Sequence, residues 1–353
     1  MNEVCMAKVG VIVTVYNPCE EYFIACLNSI KNQTLDDIEV LLIDDGSEKR
    51  IADICDQYAQ SDKRFKVWHK LNEGVSIASN FGIEHLTAEY FTFVDHDDKV
   101  DKQMCEKAYK VAMENDADIV IWNYVSFSSQ FEKESYYIGP SEKKYSAEDA
   151  HTLRKMVLDP MSDDSQHISL LGANWGKLYK TRIVKKDTNI RFPEHIMGGE
   201  DAIFTLRMLK AMKTGCFINE HLYYYRQSES SFTKKYRKNM PQEEMALAKL
   251  YKKEFDGDYD ERLFDKYYCN LLIVLMVNYI WNQGNEKNIR EKKKEVKDWL
   301  KTKEICEALR AYRECGFGGK KMLFLFFANH GMVGMVMLLS YIFKITNREQ
   351  RDV

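Results

Sequence analysis

Asp95-His96-Asp97-Asp98 stands directly after the apolar run Tyr90–Val94, and no other string in the chain is better suited to chemistry. Side chains along an extended segment alternate in direction, so Asp95 and Asp97 turn to the same side. Two carboxylates so placed are ligands for a hard divalent cation, Mg²⁺ or Mn²⁺, which takes its remaining oxygens from phosphate groups. Asp98 is an alternative ligand in the same string. The plainer reading is a strand-to-helix turn with Asp98 or Asp101 as helix cap, where aspartate is common. A second acidic string, Asp44-Asp45-Gly46-Ser47, ends the run Glu39–Ile43. There Asp45 can accept hydrogen bonds from a base or ribose edge while Gly46 permits a tight turn against the ligand; taken alone, the string is equally an ordinary turn.

Such strings need a scaffold that gathers them, and the first 125 residues predict one. Short β-branched runs at 9–15, 39–44, 65–69, 90–95 and 117–124 alternate with helical patterns. In Glu20–Gln33, for example, Phe23, Leu27 and Ile30 recur at spacings of three and four. This is the βαβαβ beginning of an α/β fold, a mostly parallel sheet flanked by helices. Open parallel sheets bind ligands at the carboxyl ends of their strands. Here those ends read TVYN, IDDGS and VDHDD, so three polar strings converge on one rim.

Residues 126–235 are less regular and read as the other half of the same domain, which makes 1–235 one unit with 1–125 as its ligand-binding half. Residues 236–353 read as a helical C-terminal region. Within it 271–281 forms a buried helix, and the Lys/Glu-rich run 289–304 a solvated one. The stretch 322–343 has no Lys, Arg, Asp or Glu. It is open to three readings: interfacial helices on a membrane, packed core, or a true span.

At 353 residues the chain exceeds what one core usually organises, roughly 250 to 300 residues, so a domain with an appendage is expected. A formal net charge of -3 gives no general attraction to nucleic acid. The nine cysteines contain no CxxC pair and read as reduced thiols. The N-terminus lacks the pattern of a signal peptide, which leads to a cytoplasmic expectation, soluble or peripheral on the inner face of the cell membrane.

VIVTVYN, LLIDDGS, YFTFVDHDD and GGEDAIF, in this order and spacing over roughly residues 8–230, resemble family 2 glycosyltransferases of the GT-A fold. The resemblance implies an inverting transfer of a sugar from a nucleotide-sugar donor, a UDP-sugar by analogy, to a saccharide or lipid-linked acceptor with Mn²⁺ or Mg²⁺ as cofactor. Polysaccharide assembly is the usual setting, and a homo-oligomer is compatible with it. By the same resemblance Thr14, Val15 and Tyr16 border the nucleotide base and Asp45 contacts it. Asp95 and Asp97 hold the ribose and the metal-bound diphosphate, with Asp98 as the alternative metal ligand. Asp201 of the GGED string is the implied general base, Glu200 helps to place the acceptor, and Gly198 and Gly199 let the backbone approach it. Glu200 and Asp201 equally suit a helix start, where acids meet the positive dipole end. Trp175 in NWGKLYK is either a sugar-stacking ring or a buried tryptophan. Arg226 and Ser231 resemble residues that close over the diphosphate. One departure is Ser79 before Asn80, where many relatives carry arginine.

Competing readings lack their signatures. No GxGxxG follows the first strand, which removes a dinucleotide-binding dehydrogenase, and Gly316–Lys321 lacks the spacing of a P-loop. A sugar nucleotidyltransferase would share the acids but call for a phosphate-cradling glycine loop near the N-terminus. A non-catalytic scaffold that binds a nucleotide sugar is the alternative from another class.

Overall fold

The computed structural model describes residues 6–135, 141–159, 171–196, 198–227, 235–257 and 259–349. Two compact units divide the chain: Met1–Val157 with His167–Ser228, and Leu158–Gln166 with Glu229–Val353.

In the first unit the described strands are β1 (Val9–Val15), β2 (Ile38–Asp44), β3 (Phe65–His69), β4 (Tyr90–Phe93), β5 (Lys99–Val100), β6 (Ile119–Phe127), β7 (Glu132–Ser135), β8 (Lys143–Ser146), β9 (Lys177–Lys180) and β10 (Thr214–Arg226). They form one sheet whose main path is β3-β2-β1-β4-β9-β6-β10-β5, with β7 beside β6 and β8 beside β10. The first four pair in parallel through the helices α1 (Glu20–Lys31), α2 (Lys49–Ser61) and α3 (Val75–His85). β2 is buried along its whole length, as a strand covered on both faces must be, and this explains its unbroken apolar run. β9 runs antiparallel to both β4 and β6 and so joins a second parallel pair, β6 and β10, to the first four strands. The helices α4 (Met104–Asn115), α5 (Ala150–Leu158), α6 (Thr181–Lys186) and α7 (Glu200–Ala211) complete this part of the chain.

The winding decides where a ligand fits. From β1 the chain moves outward to β2 and β3, then returns to place β4 on the other side of β1. At such a switch point the loops after β1 and β4 diverge and leave a crevice at the carboxyl ends of the strands. Behind it, Glu39 at the start of β2 is buried and accepts from the N–H groups of Thr87 and Ala88 at 2.6 Å each, from the Thr87 hydroxyl at 2.8 Å and from Lys66 at 2.8 Å. Burial alone would raise its pKa, but these donors outweigh burial and hold the carboxyl below its ordinary value. Glu39→Ala strands two backbone donors and is expected to cost on the order of 3 kcal/mol of stability in urea unfolding at neutral pH. Because the folded-state pKa is depressed, that contribution is present above the unfolded pKa and lost as pH falls through the folded one. The gap between variant and wild type should therefore narrow in acid.

The second unit is helical: α8 (Met240–Glu254), α9 (Glu261–Leu275) continued by a π-helical turn Met276–Ile280, α10 (Ile289–Trp299), α11 (Lys303–Ala311), α12 (Gly319–Asn329) and α13 (Val333–Glu349). The apolar stretch 322–343 is broken at His330–Met332, so α12 and α13 are separate helices that contact each other. Phe324, Leu325, Val336, Met337 and Phe343 are buried, whereas Leu338, Tyr341, Ile342 and Ile345 are exposed. Among the described residues no helix is long and apolar enough to cross a membrane.

Candidate active site

The loops after β1, β2 and β3 are stitched together at the rim. Asp45 N–H donates to the Val15 carbonyl at 2.9 Å, Asn17 N–H to the Ser47 hydroxyl at 3.2 Å, and Glu48 N–H to the Asn17 side chain at 2.7 Å. Gly46 sits at φ 80°, and a Cβ there would lie 2.8 Å from the Asn72 nitrogen, so the turn admits only glycine. Asp45 is buried, and its two oxygens accept from the N–H groups of Glu73 and Gly74 at 3.0 and 2.8 Å. In this structure it ties the loop after β3 to the loop after β2. Val15 is fully buried and Thr14 partly so, whereas Tyr16 is 52% exposed. Of the three residues expected to border a base, only Tyr16 therefore offers an open ring.

The acidic loop after β4 is clamped from β10. The Tyr223 hydroxyl accepts from Asp95 N–H at 3.1 Å and donates to Asp98 Oδ2 at 2.7 Å, while Arg226 N–H donates to Asp98 Oδ1 at 2.6 Å. Asp98 is buried with both oxygens engaged by protein. It braces the loop from β10 through one hydrogen bond on each oxygen, and a carboxylate so held keeps further lone pairs on both. Arg226 reaches back across the loop: Nε donates to the Asp97 carbonyl at 2.6 Å, and the guanidinium lies 3.9 Å from the Tyr22 ring centre and 4.5 Å from that of Phe127. Ser231 lies outside the described residues.

Gly198 and Gly199 have φ values of 84° and 86°, a left-handed pair that glycine tolerates and that turns the chain into α7. Glu200 and Asp201 open this helix, where the dipole favours acids. The segment leading to the turn is moored by Asn80 on α3, whose side chain accepts from Phe192 N–H at 2.8 Å and donates to its carbonyl at 2.9 Å. Burial, Asp97 and Glu200 push Asp95 up to about 7. Burial, Glu200 and Asp95 likewise push Asp201 well above the ordinary carboxylate range, against the opposing pull of Lys177 and the Asn174 N–H. The two acidic strings thus act on one another, although more than a hundred positions separate them in the chain.

Trp175 does not join them as a sugar platform. It is 3% exposed, and its ring stacks on Tyr223 at 4.3 Å and Tyr225 at 5.2 Å, so the buried-tryptophan reading holds. Tyr223 and Lys177 are not singled out by the sequence, although both lie in strings noted for other members, and Asn80 enters there only as the neighbour of Ser79.

Asp95 and Asp97 supply hard oxygen donors, and the charges acting on Asp95 are both negative. Such a set fits a divalent cation that completes its shell elsewhere. Among the described residues no group of three or more His, Cys, Asp or Glu side chains is placed to hold an ion by itself.

A parallel βαβ core with acidic loops at a switch point, extended through an antiparallel strand, is the architecture of GT-A glycosyltransferases. The glycosyl transferase family 2 model matches residues 10–171. Glycosyltransferase GlyG of Streptococcus pneumoniae is 30% identical over 224 residues, 63% of this chain and 72% of that one. EpsH of Bacillus subtilis is 28% identical over 346 residues, 95% of each chain. Among solved structures, residues 1–349 of S. aureus TarS in complex with UDP-GlcNAc share the fold, with a TM-score of 0.66 at 18% identity, covering 96% of this chain and 92% of that one. The chain belongs to glycosyl transferase family 2, and it is a glycosyltransferase.

Proposed function

We propose that this glycosyltransferase is an inverting, metal-dependent enzyme that moves a sugar from a UDP-sugar to a hydroxyl of a saccharide or lipid-linked saccharide during cell-surface or exopolysaccharide assembly. The observation that carries the reading is the mutual influence of Asp95, Glu200 and Asp201, which joins the string after β4 to the start of α7. The likeness to a TarS complex with UDP-GlcNAc supports the donor class.

Asp95 and Asp97 would hold Mn²⁺ or Mg²⁺, which neutralises the charge of the departing diphosphate. The exposed Tyr16 ring gives the base a surface to stack on. Arg226, anchored at the Asp97 carbonyl, brings a positive charge to the diphosphate side. Asp201 takes the proton of the acceptor hydroxyl as its oxygen attacks the anomeric carbon, and the bond to the diphosphate breaks on the opposite face. One displacement inverts the configuration. Glu200 orients the acceptor beside it.

Purified protein with Mn²⁺, a panel of UDP-sugars and saccharide acceptors should release UDP in an acceptor-dependent way. Donor binding without any UDP release would favour the scaffold reading instead.

Contact with a membrane surface is part of the proposal. Leu338, Tyr341, Ile342 and Ile345 recur at spacings of three and four and form one exposed apolar stripe on α13. The Tyr341 ring lies 5.1 Å from Trp281, over which Lys292 stands at 5.9 Å. Apolar and aromatic groups beside a lysine suit the interface of an anionic leaflet. A Leu338→Asp, Ile342→Asp double variant should bind anionic vesicles at least about tenfold more weakly in co-sedimentation, since each buried side chain is worth about 1.5 to 3 kcal/mol. Equal binding by the two proteins would remove this stripe from the contact.

A further inference from the structure

The rim that carries Asp45 is also held by an imidazole. Asp44, the last residue of β2, is buried, and its Oδ1 accepts from the Ser47 N–H at 2.9 Å, which closes the turn 44–47. Its Oδ2 lies 2.6 Å from Nδ1 of His69, the last residue of β3. Nε2 of the same ring lies 3.2 Å from Asp56 Oδ1 on α2. The Asp44 carbonyl accepts from the Lys70 N–H at 2.8 Å, so both ends of the contact are tied to the backbone. Through Ser47 the turn reaches Asn17 in the loop after β1, and through Asp45 it holds Glu73 and Gly74 in the loop after β3. One ring is therefore joined, by way of Asp44, to all three loops of the rim.

A neutral imidazole has one N–H and one lone pair, whereas the imidazolium has two N–H groups. With a carboxylate at each nitrogen, only the imidazolium can donate to both. In the neutral ring a lone pair is turned toward an anion, and the bond that remains is weaker because the donor has lost its charge. Among the described residues the charged groups that act on the ring are Asp44 and Asp56. The Cys55 thiol, which faces the same two acids, is pushed up to about 12 by burial and stays neutral. The bond to Asp44 raises His69 above its ordinary value, burial opposes the rise, and Asp56 adds to it.

We propose that His69 is a positioning residue for the donor: set between Asp56 and Asp44, it fixes the turn that joins the three rim loops and ties donor affinity to the charge of one imidazole. The inference rests on the reading of this rim as the donor side. Because the folded-state value of His69 is raised, the double bridge is complete below the ordinary histidine range and is lost as pH rises through the raised value. UDP affinity should fall over the same interval, and by reciprocity bound UDP should raise the His69 value further.

His69→Asn places an amide N–H where Nδ1 stood, so Asp44 keeps a donor, but the new side chain carries no charge and stops short of Asp56. Asp56→Asn, at a half-exposed position, keeps the imidazole and removes one acid; it is the second variant should His69→Asn not fold. Folding is checked by thermal melting, and UDP affinity is measured by calorimetry with saturating Mg²⁺ between about pH 6 and 8.5. The titration of UDP itself is common to all three proteins and cancels in their affinity ratios. His69→Asn is expected to bind UDP about fivefold more weakly at the acid end, with the gap closing at the alkaline end, where the wild-type ring has lost its charge. In Asp56→Asn the fall in affinity should come at lower pH than in the wild type, because loss of an acid lowers the imidazole. The donor KM should follow these affinities while kcat stays within about twofold. An affinity ratio that is the same at every pH, or an effect confined to kcat or to melting, would overturn the role of His69. Absence of UDP binding by the wild-type protein at any pH would overturn the donor reading of the rim instead.

Discussion

Asp201→Asn is expected to bind a UDP-sugar with near wild-type affinity and to turn it over about 10² to 10⁴ times more slowly. Asparagine matches aspartate in shape and still accepts from the Asn174 N–H through its carbonyl, so the first turn of α7 keeps its anchor. It cannot take a proton from the acceptor hydroxyl. Donor binding is assigned to the loops after β1, β2 and β4, whereas Asp201 stands on α7, so calorimetry with UDP and a UDP-release assay should separate the two properties. Wild-type turnover in the variant would take the base away from this residue. The environment adds a pH signature. Burial and two neighbouring acids raise Asp201, so wild-type turnover should fall, as pH is lowered, at a value above the ordinary carboxylate range.

Asp97→Ala is expected to abolish the metal-dependent part of UDP binding, a loss of more than about 100-fold when Mn²⁺ is present and little when it is absent. Losing a ligand should exceed the 10- to 100-fold typical of losing a group that only orients one. The loop itself should persist, because Arg226 holds the backbone carbonyl of Asp97 and not its carboxylate. This separates Asp97 from Asp98, whose carboxylate bonds to Tyr223 and Arg226 hold the loop in place. Titration of each variant with UDP, with and without Mn²⁺, is the measurement. Affinity equal to wild type in Asp97→Ala would remove Asp97 from the metal site.

The parallel half of the fold was legible because its strands are covered on both faces and therefore read as unbroken apolar runs, as in the segment that becomes β2. β9 was not. Its sequence, KLYK, looks like surface, yet all four residues are buried, since Lys177 bonds to backbone carbonyls and Lys180 pairs with Asp116. β10 was hidden for another reason: its register against β6 shifts on either side of His221, which interrupts the alternation that marks a strand. Among site residues, acids concentrated in short strings could be found by type and spacing. Asn80 and Tyr223 could not, because their roles arise from partners 112 and 125 to 128 positions away. Trp175 shows the limit of residue type: the ring suits a sugar, but two tyrosines of β10 already cover it. In the tail, composition showed an apolar stretch, while the turn around Gly331 decides that it is two helices.

The clamp of Tyr223 and Arg226 on Asp98 has a consequence for biosynthesis. A ribosome delivers the acidic loop long before it delivers β10, and Asp98 must wait 125 and 128 positions for its two partners. The nascent first half can pair its parallel strands, yet the residues that grip the loop from the far side have not been translated. The clamp on this loop is thus completed only when β10 has been made, and an intermediate stalled midway through the chain lacks both of the residues that grip it.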